Sequence, residues 1–206
     1  MLSLEGERNS AANRPFGLGE IERAAVGGDE WTIALGEQIP YVYQGLDASI
    51  DKAIQLGFDG FNAASSANIA PQMTSGDAAG SLTVTGQVDQ GSSDNKTMRL
   101  SIAMTGYSDG SLSVNGDATS ITYATGDTLP ALELDLKGIP DGTVSGSLAG
   151  SYSMSGDLGG DVTLDLELAG MLQAGSDGEV ERVPGATTVT GTAVSASGTY
   201  DVNVTL

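Results

Sequence analysis

Asp157, Asp161, Asp165 and Glu167 are the nearest this sequence comes to a set of reagents. Carboxylates in pairs can cleave a glycosidic bond, one as acid and the other as base or nucleophile, provided that they flank a cleft. Clustered Asp can also hold calcium, but the D-x-D-x-D-G run of a dedicated calcium loop does not occur, leaving only a weak turn-borne site at Asp157 and Asp161 as the metal reading. The spacing argues against catalysis. Asp161, Asp165 and Glu167 alternate with Val162, Leu164, Leu166 and Leu168, so they share one wet face of a strand as a solvated row. No aromatic platform stands beside them in the sequence.

Other chemistry is excluded by residue type. The chain has no cysteine, hence no disulfide, thiolate nucleophile or thiolate metal site. It has no histidine either, which removes the commonest general base and metal ligand and the usual serine, cysteine and zinc mechanisms with it. The expectation is a protein with no catalytic residue and no cofactor, and glycan hydrolysis through Asp161 or Asp165 is the least favoured alternative.

The elements that would position these acids read as β-strands. From Val144 to Gly170 every second residue is apolar or glycine without a break of phase. One strand of that length would run about 90 Å, so the chain must turn inside it. Residues opposite each other in a hairpin share a face, so unbroken phase requires an odd loop. Asp157-Leu158-Gly159, with Gly159 left-handed, is the expected turn.

The same period of two governs Leu82, Val84, Gly86 and Val88, then Met98, Leu100, Ile102 and Met104, then Leu132, Leu134 and Leu136. Turn sequences separate such runs: Ser108-Asp109-Gly110, Pro140-Asp141-Gly142, Ser176-Asp177-Gly178 and Ala196-Ser197-Gly198, each read as a three-residue loop with a left-handed third position. Glycines on the inner face, Gly146, Gly150, Gly156 and Gly160, predict strong curvature.

Before the alternation begins, Ile50, Ala53, Ile54, Gly57, Phe58 and Phe61 fall at helical spacing, predicting an amphipathic helix over about Asp47 to Ala64. A shorter helix is expected over Gly19 to Val26. WTIAL at Trp31–Leu35 and YVY at Tyr41–Tyr43 read as short strands or further helix, and residues 1–15 as a loose terminus.

The predicted fold is thus mainly β with a minor α part. It is one domain over 16–206, with a helical part at about 18–66 and, at about 80–206, an antiparallel meander of eight or nine strands curved into a partial or closed barrel around one helix. The concavity then holds either the helix or, as an alternative, a lipid or other apolar ligand contacting Phe58, Phe61, Tyr152, Met154, Leu164 and Leu166. With three Phe, one Trp and six Tyr in the chain, bulky filler is scarce.

A formal charge of -19 repels nucleic acid and anionic membrane surfaces and forms a solubilising coat. The composition reads as that of an exported protein, a mature form whose signal was replaced by Met1. Thr143–Gly156, TVSGSLAGSYSMSG, and Thr187–Leu206, TTVTGTAVSASGTYDVNVTL, resemble the Gly/Ser/Thr-rich strands of uncharacterised exported bacterial proteins, many of them predicted lipoproteins. The resemblance spans roughly the last 130 residues and implies an envelope or surface location, with membrane anchoring through a removed N-terminal signal, although the lipid-attachment cysteine is missing. The expected role is a structural or interaction module for a protein partner. The final strand, Thr199 to Leu206, is long and free of proline, and offers an edge for self-association.

Overall fold

The computed structural model describes residues 39–206 apart from 90, 115–116 and 197. These belong to one compact unit. The expected terminus at 1–15, the helix at Gly19–Val26 and the segment Trp31–Leu35 lie outside the described residues.

One helix, α1, runs from Ile39 to Ala63. It begins earlier than the apolar spacing indicates and absorbs Tyr41–Tyr43. Leu46, Ser49, Ile50, Ala53, Ile54 and Phe58 are buried, and from Gly45 onward the exposed residues form a narrow stripe at Ala48, Gln55, Asp59 and Ala63. Gly57 and Gly60 each cost the helix roughly 1 kcal/mol relative to alanine. The structure shows why they are there: a Cβ at Gly57 would lie 2.7 Å from Leu100 Cδ1, and one at Gly60 2.4 Å from Ile69 Cγ2. Close approach of helix to sheet needs bare backbone at both.

The rest is a single antiparallel sheet of 11 strands: β1 (Asn68–Ser75), β2 (Ala79–Val88), β3 (Lys96–Ser108), β4 (Ser111–Val114), β5 (Asp117–Ala124), β6 (Ala131–Lys137), β7 (Thr143–Gly156), β8 (Gly160–Ala174), β9 (Val180–Arg182), β10 (Thr188–Ser195) and β11 (Gly198–Thr205). The number exceeds the eight or nine expected because two rows are broken. β5 and β6 both lie between β3 and β7, and β9 and β10 both pair with β8. At the first break, β3 advances from Ser101 to Tyr107 while its partners run from Ala131 back to Tyr123. The extra residues form a bulge closed by Ile102 N–H to Pro130 O and Thr125 N–H to Met104 O, both 3.0 Å.

β1 is a correction to the expected start of the sheet near residue 80. NIAPQMTS hides its period because Pro71 sits at a register break between Ile69 and Gln72. The hairpin turns also differ from a uniform three-residue pattern. β3 and β4 do not pair at all; β4 pairs only with β5. Between β6 and β7 the left-handed residue is Gly138 (φ 68), not Gly142. Ser195 pairs with Gly198, so β10 and β11 are joined by a two-residue loop. Ser176–Gly178 is a short 3-10 turn with Gly178 left-handed as expected (φ 83).

The long alternating stretch forms the β7–β8 hairpin, and Asp157–Gly159 is the segment between the strands. Phase is preserved: Tyr152 pairs with Val162, Leu148 with Leu166, and all four are buried. The positive φ values fall on the flanking Gly156 (113) and Gly160 (110) rather than on Gly159. Of the inward glycines, Gly146 admits the Glu133 carbonyl to 2.1 Å of where a Cβ would stand, and Gly150 admits Pro130 of the bulge.

The sheet forms a partial ring, with β1 and β11 each paired on one side only. The helix touches β1 and β2 near one edge and β10 and β11 near the other. Its apolar face joins the inner faces of the strands in one continuous core.

Candidate functional site

The residues proposed to line an apolar cavity come together, but as packed core. Phe58, Tyr152, Leu164 and Leu166 are each at most 1% exposed, Met154 is buried and Phe61 is partly buried against the same cluster. Burial pushes the Tyr152 and Tyr123 hydroxyls far above their usual pKa, keeping both neutral.

The acids of the β7–β8 hairpin face outward. Asp161, Asp165 and Glu167 are exposed; Asp165 stands opposite Ala149 on β7 and Thr192 on β10. Asp157 does not join them. Its carboxylate accepts from Ser120 N–H at 2.7 Å, while its own N–H donates to Ser120 O at 2.9 Å, tying the hairpin tip to β5. Among the described residues no three acidic side chains are grouped closely enough to hold a metal ion.

The most elaborate polar arrangement is one the sequence reading did not single out. Lys52, at mid-helix, donates to Asp109 Oδ1 at 2.6 Å and to Asp77 Oδ1 at 2.9 Å. The Tyr107 hydroxyl donates to the same Asp109 carboxylate at 2.8 Å, and Asp77 N–H reaches Asp109 Oδ1 at 3.1 Å. The Lys52 ammonium also stands 5.7 Å from the Tyr107 ring centroid. Burial opposes the charge on Asp109, but the Lys52 ammonium and the donors from Tyr107 and Asp77 outweigh it and hold its pKa below the usual carboxylate value. Burial and then the neighbouring Asp109 push the Tyr107 hydroxyl up to about 12. Burial alone would lower the Lys52 pKa, yet its hydrogen bonds to Asp109 and Asp77 raise it.

Beside this cluster lies a cavity of about 150 Å³, lined by Gly45 and Ala48 of the helix, Ser108–Leu112, Ile121 and Tyr123. Both Asp109 oxygens are already engaged within the protein, so this half-buried carboxylate at the cavity rim serves as a clamp between helix and hairpin ends. The signal in the sequence was slight: Lys52 is one of only three lysines, and Asp109 sits in a turn where Asp is ordinary.

On the opposite flank of the helix, Asn62 makes a two-point contact with β9: its Nδ2 donates to Val180 O, and its Oδ1 accepts from Val180 N–H, both at 3.0 Å. The side chain acts as one residue of a neighbouring strand. Asp51 accepts from Arg182 Nη2 at 2.6 Å.

Among known protein families, curated proteins and solved structures, nothing matches this chain. Among the described residues no helix is long and apolar enough to cross a membrane.

Proposed function

We propose that the protein is a non-catalytic structural or interaction module of the bacterial envelope or cell surface, in which a curved sheet and a central helix present a hydroxyl- and carboxylate-rich outer face to partners. One observation carries this reading: the concavity of the sheet is occupied by the helix, with Phe58, Tyr152, Met154, Leu164 and Leu166 buried in a single core and Phe61 partly buried against it. An apolar carrier would keep part of that volume for its ligand. The exposed faces of β7 and β8 offer Ser145, Ser151, Ser153, Asp161, Asp165 and Glu167. Export rests on composition and on the resemblance of the Gly/Ser/Thr-rich strands.

The test has two parts. Organic extraction of the purified protein with mass spectrometry should recover no stoichiometric lipid, and an apolar fluorescent dye should show no saturable binding. A stoichiometric lipid would overturn the reading in favour of the carrier. Fractionation of the producing cells should place the protein outside the cytoplasm, and a cytoplasmic location would overturn the assignment to the envelope.

A further inference from the structure

The two edges of the sheet are finished differently. β1 is blunted: Pro71 has no N–H to offer, the register breaks between Ile69 and Gln72, and the Gln72 amide folds back on Ala70 O at 2.9 Å. β9 is capped by Asn62. β11 has neither device. It pairs with β10 without a break from Thr188–Thr205 to Ser195–Gly198 and contains neither proline nor a basic residue.

Which groups β11 leaves open follows from one hydrogen bond. Leu206 N–H donates to Thr187 O at 2.8 Å. In an antiparallel ladder bonded and non-bonded pairs alternate. Val204, Val202, Tyr200 and Gly198 therefore bond to β10, and Thr199, Asp201, Asn203 and Thr205 turn their N–H and C=O outward. All four of these residues are exposed, and among the described residues nothing takes those groups.

We propose that the β11 edge pairs with β11 of a second copy of this chain, antiparallel and about a two-fold axis through Val202. This rests on the interaction-module reading above and names the partner. The chemistry of the edge selects the register. Centred on Val202, Thr199 faces Thr205 of the second copy and Asp201 faces Asn203, so that all four outward residues are used. Each carboxylate then meets a side-chain amide able to donate to it. On the core side Tyr200 faces Val204, an aromatic and β-branched pair whose members are both half-buried in one copy alone. Centring on Asp201 would oppose two carboxylates, and centring on Asn203 would set Asp201 against Thr205 and take the side-chain amide from each carboxylate. The blunted β1 edge makes β11-to-β1 pairing, which would propagate without closing, the poorer match. The -19 charge on each chain opposes association, so pairing strengthens as salt screens it.

Sedimentation equilibrium over a wide concentration range, at low and high salt, tests this on the full chain. The expected result is a monomer–dimer equilibrium shifted towards dimer by salt. Asn203→Lys, which places an ammonium against Asp201 on both sides of the axis, should tighten the dimer. Asn203→Asp should weaken it, with roughly tenfold between each variant and the wild type. Asn203→Pro removes an outward N–H without touching the bonds to β10 and should abolish the dimer; its far-ultraviolet circular dichroism should match the wild type, and if it does not, the Lys and Asp pair decides alone. A wild type that stays monomeric at high salt and the highest attainable concentration would overturn the proposal, as would a dimer equally stable in Asn203→Lys and Asn203→Asp, or growth beyond dimer. A lipid-free monomer would overturn the pairing while leaving the interaction-module reading in place.

Discussion

Asp51 and Lys52 are adjacent in the sequence, yet they tie the helix to opposite sides of the ring. Lys52 reaches a shielded cluster in which Asp109 is 16% exposed and accepts from three groups, the Lys52 ammonium, the Tyr107 hydroxyl and Asp77 N–H, while the Asp77 carboxylate takes the ammonium's second bond. Asp51 is 49% exposed and bonds one guanidinium whose Nε finds no partner. The strength of a charge contact follows how many partners it satisfies and how far water is kept from it, so the first tie holds and the second contributes little. Between the two flanks lies the apolar seam of Leu46, Ile50, Ala53, Ile54 and Phe58, which outweighs both.

This contrast can be broken in order of expected effect, each change read by chemical denaturation. Phe58→Ala should cost most, about 3–5 kcal/mol, through lost burial and a cavity between helix and sheet. Asp109→Ala should cost about 2–3 kcal/mol by leaving the Tyr107 hydroxyl without its acceptor and the Lys52 ammonium with Asp77 alone.

The Asp109 effect has a pH signature. The folded pKa of Asp109 is depressed, so its contribution is present above the unfolded value of about 4 and is lost as pH falls through the folded value. The folded pKa of Tyr107 is raised to about 12, so its contribution is present below about pH 10 and is lost as pH rises from there towards 12. The stability difference between wild type and Asp109→Ala should therefore be flat through the neutral range and shrink at both extremes. Asn62→Ala should cost about 1–2 kcal/mol, because Val180 N–H and C=O lose their partner and must be met by water. Asp51→Ala should cost about 1 kcal/mol or less, and an effect as large as that of Asp109→Ala would erase the distinction between the flanks.

Much of the fold was legible because alternation is a local signal. Leu82, Val84, Met98, Leu100, Leu132, Leu134 and, in the β7–β8 hairpin, Val144, Leu148, Tyr152, Val162, Leu164 and Leu166 lie on the buried face that their spacing assigns. β1 was not legible, because Pro71 and a bulge erase the period in a strand that is an edge. The broken rows were not legible either. That β5 and β6 share one row depends on the far sides of β3 and β7, which no local pattern reports. Of the polar sites, the outward acids of β8 could be placed from phase alone, whereas the Lys52 cluster joins the helix to two segments that are 25 and 57 residues from the lysine and share no motif.

The sequence by itself determined the antiparallel sheet, its wet and apolar faces, the preserved phase of the long hairpin and the apolar side of the helix. Each follows from the period of side chains along a strand or helix, a property of neighbours in the chain. Only the tertiary structure decided that the helix fills the concavity, that Asn62 and Lys52 fasten its two flanks, and that among the described residues β1 and β9 are finished as edges while β11 is left open. Those outcomes depend on which distant segments compete for the same space and the same hydrogen bonds, and that competition is settled only when the ring folds around the helix.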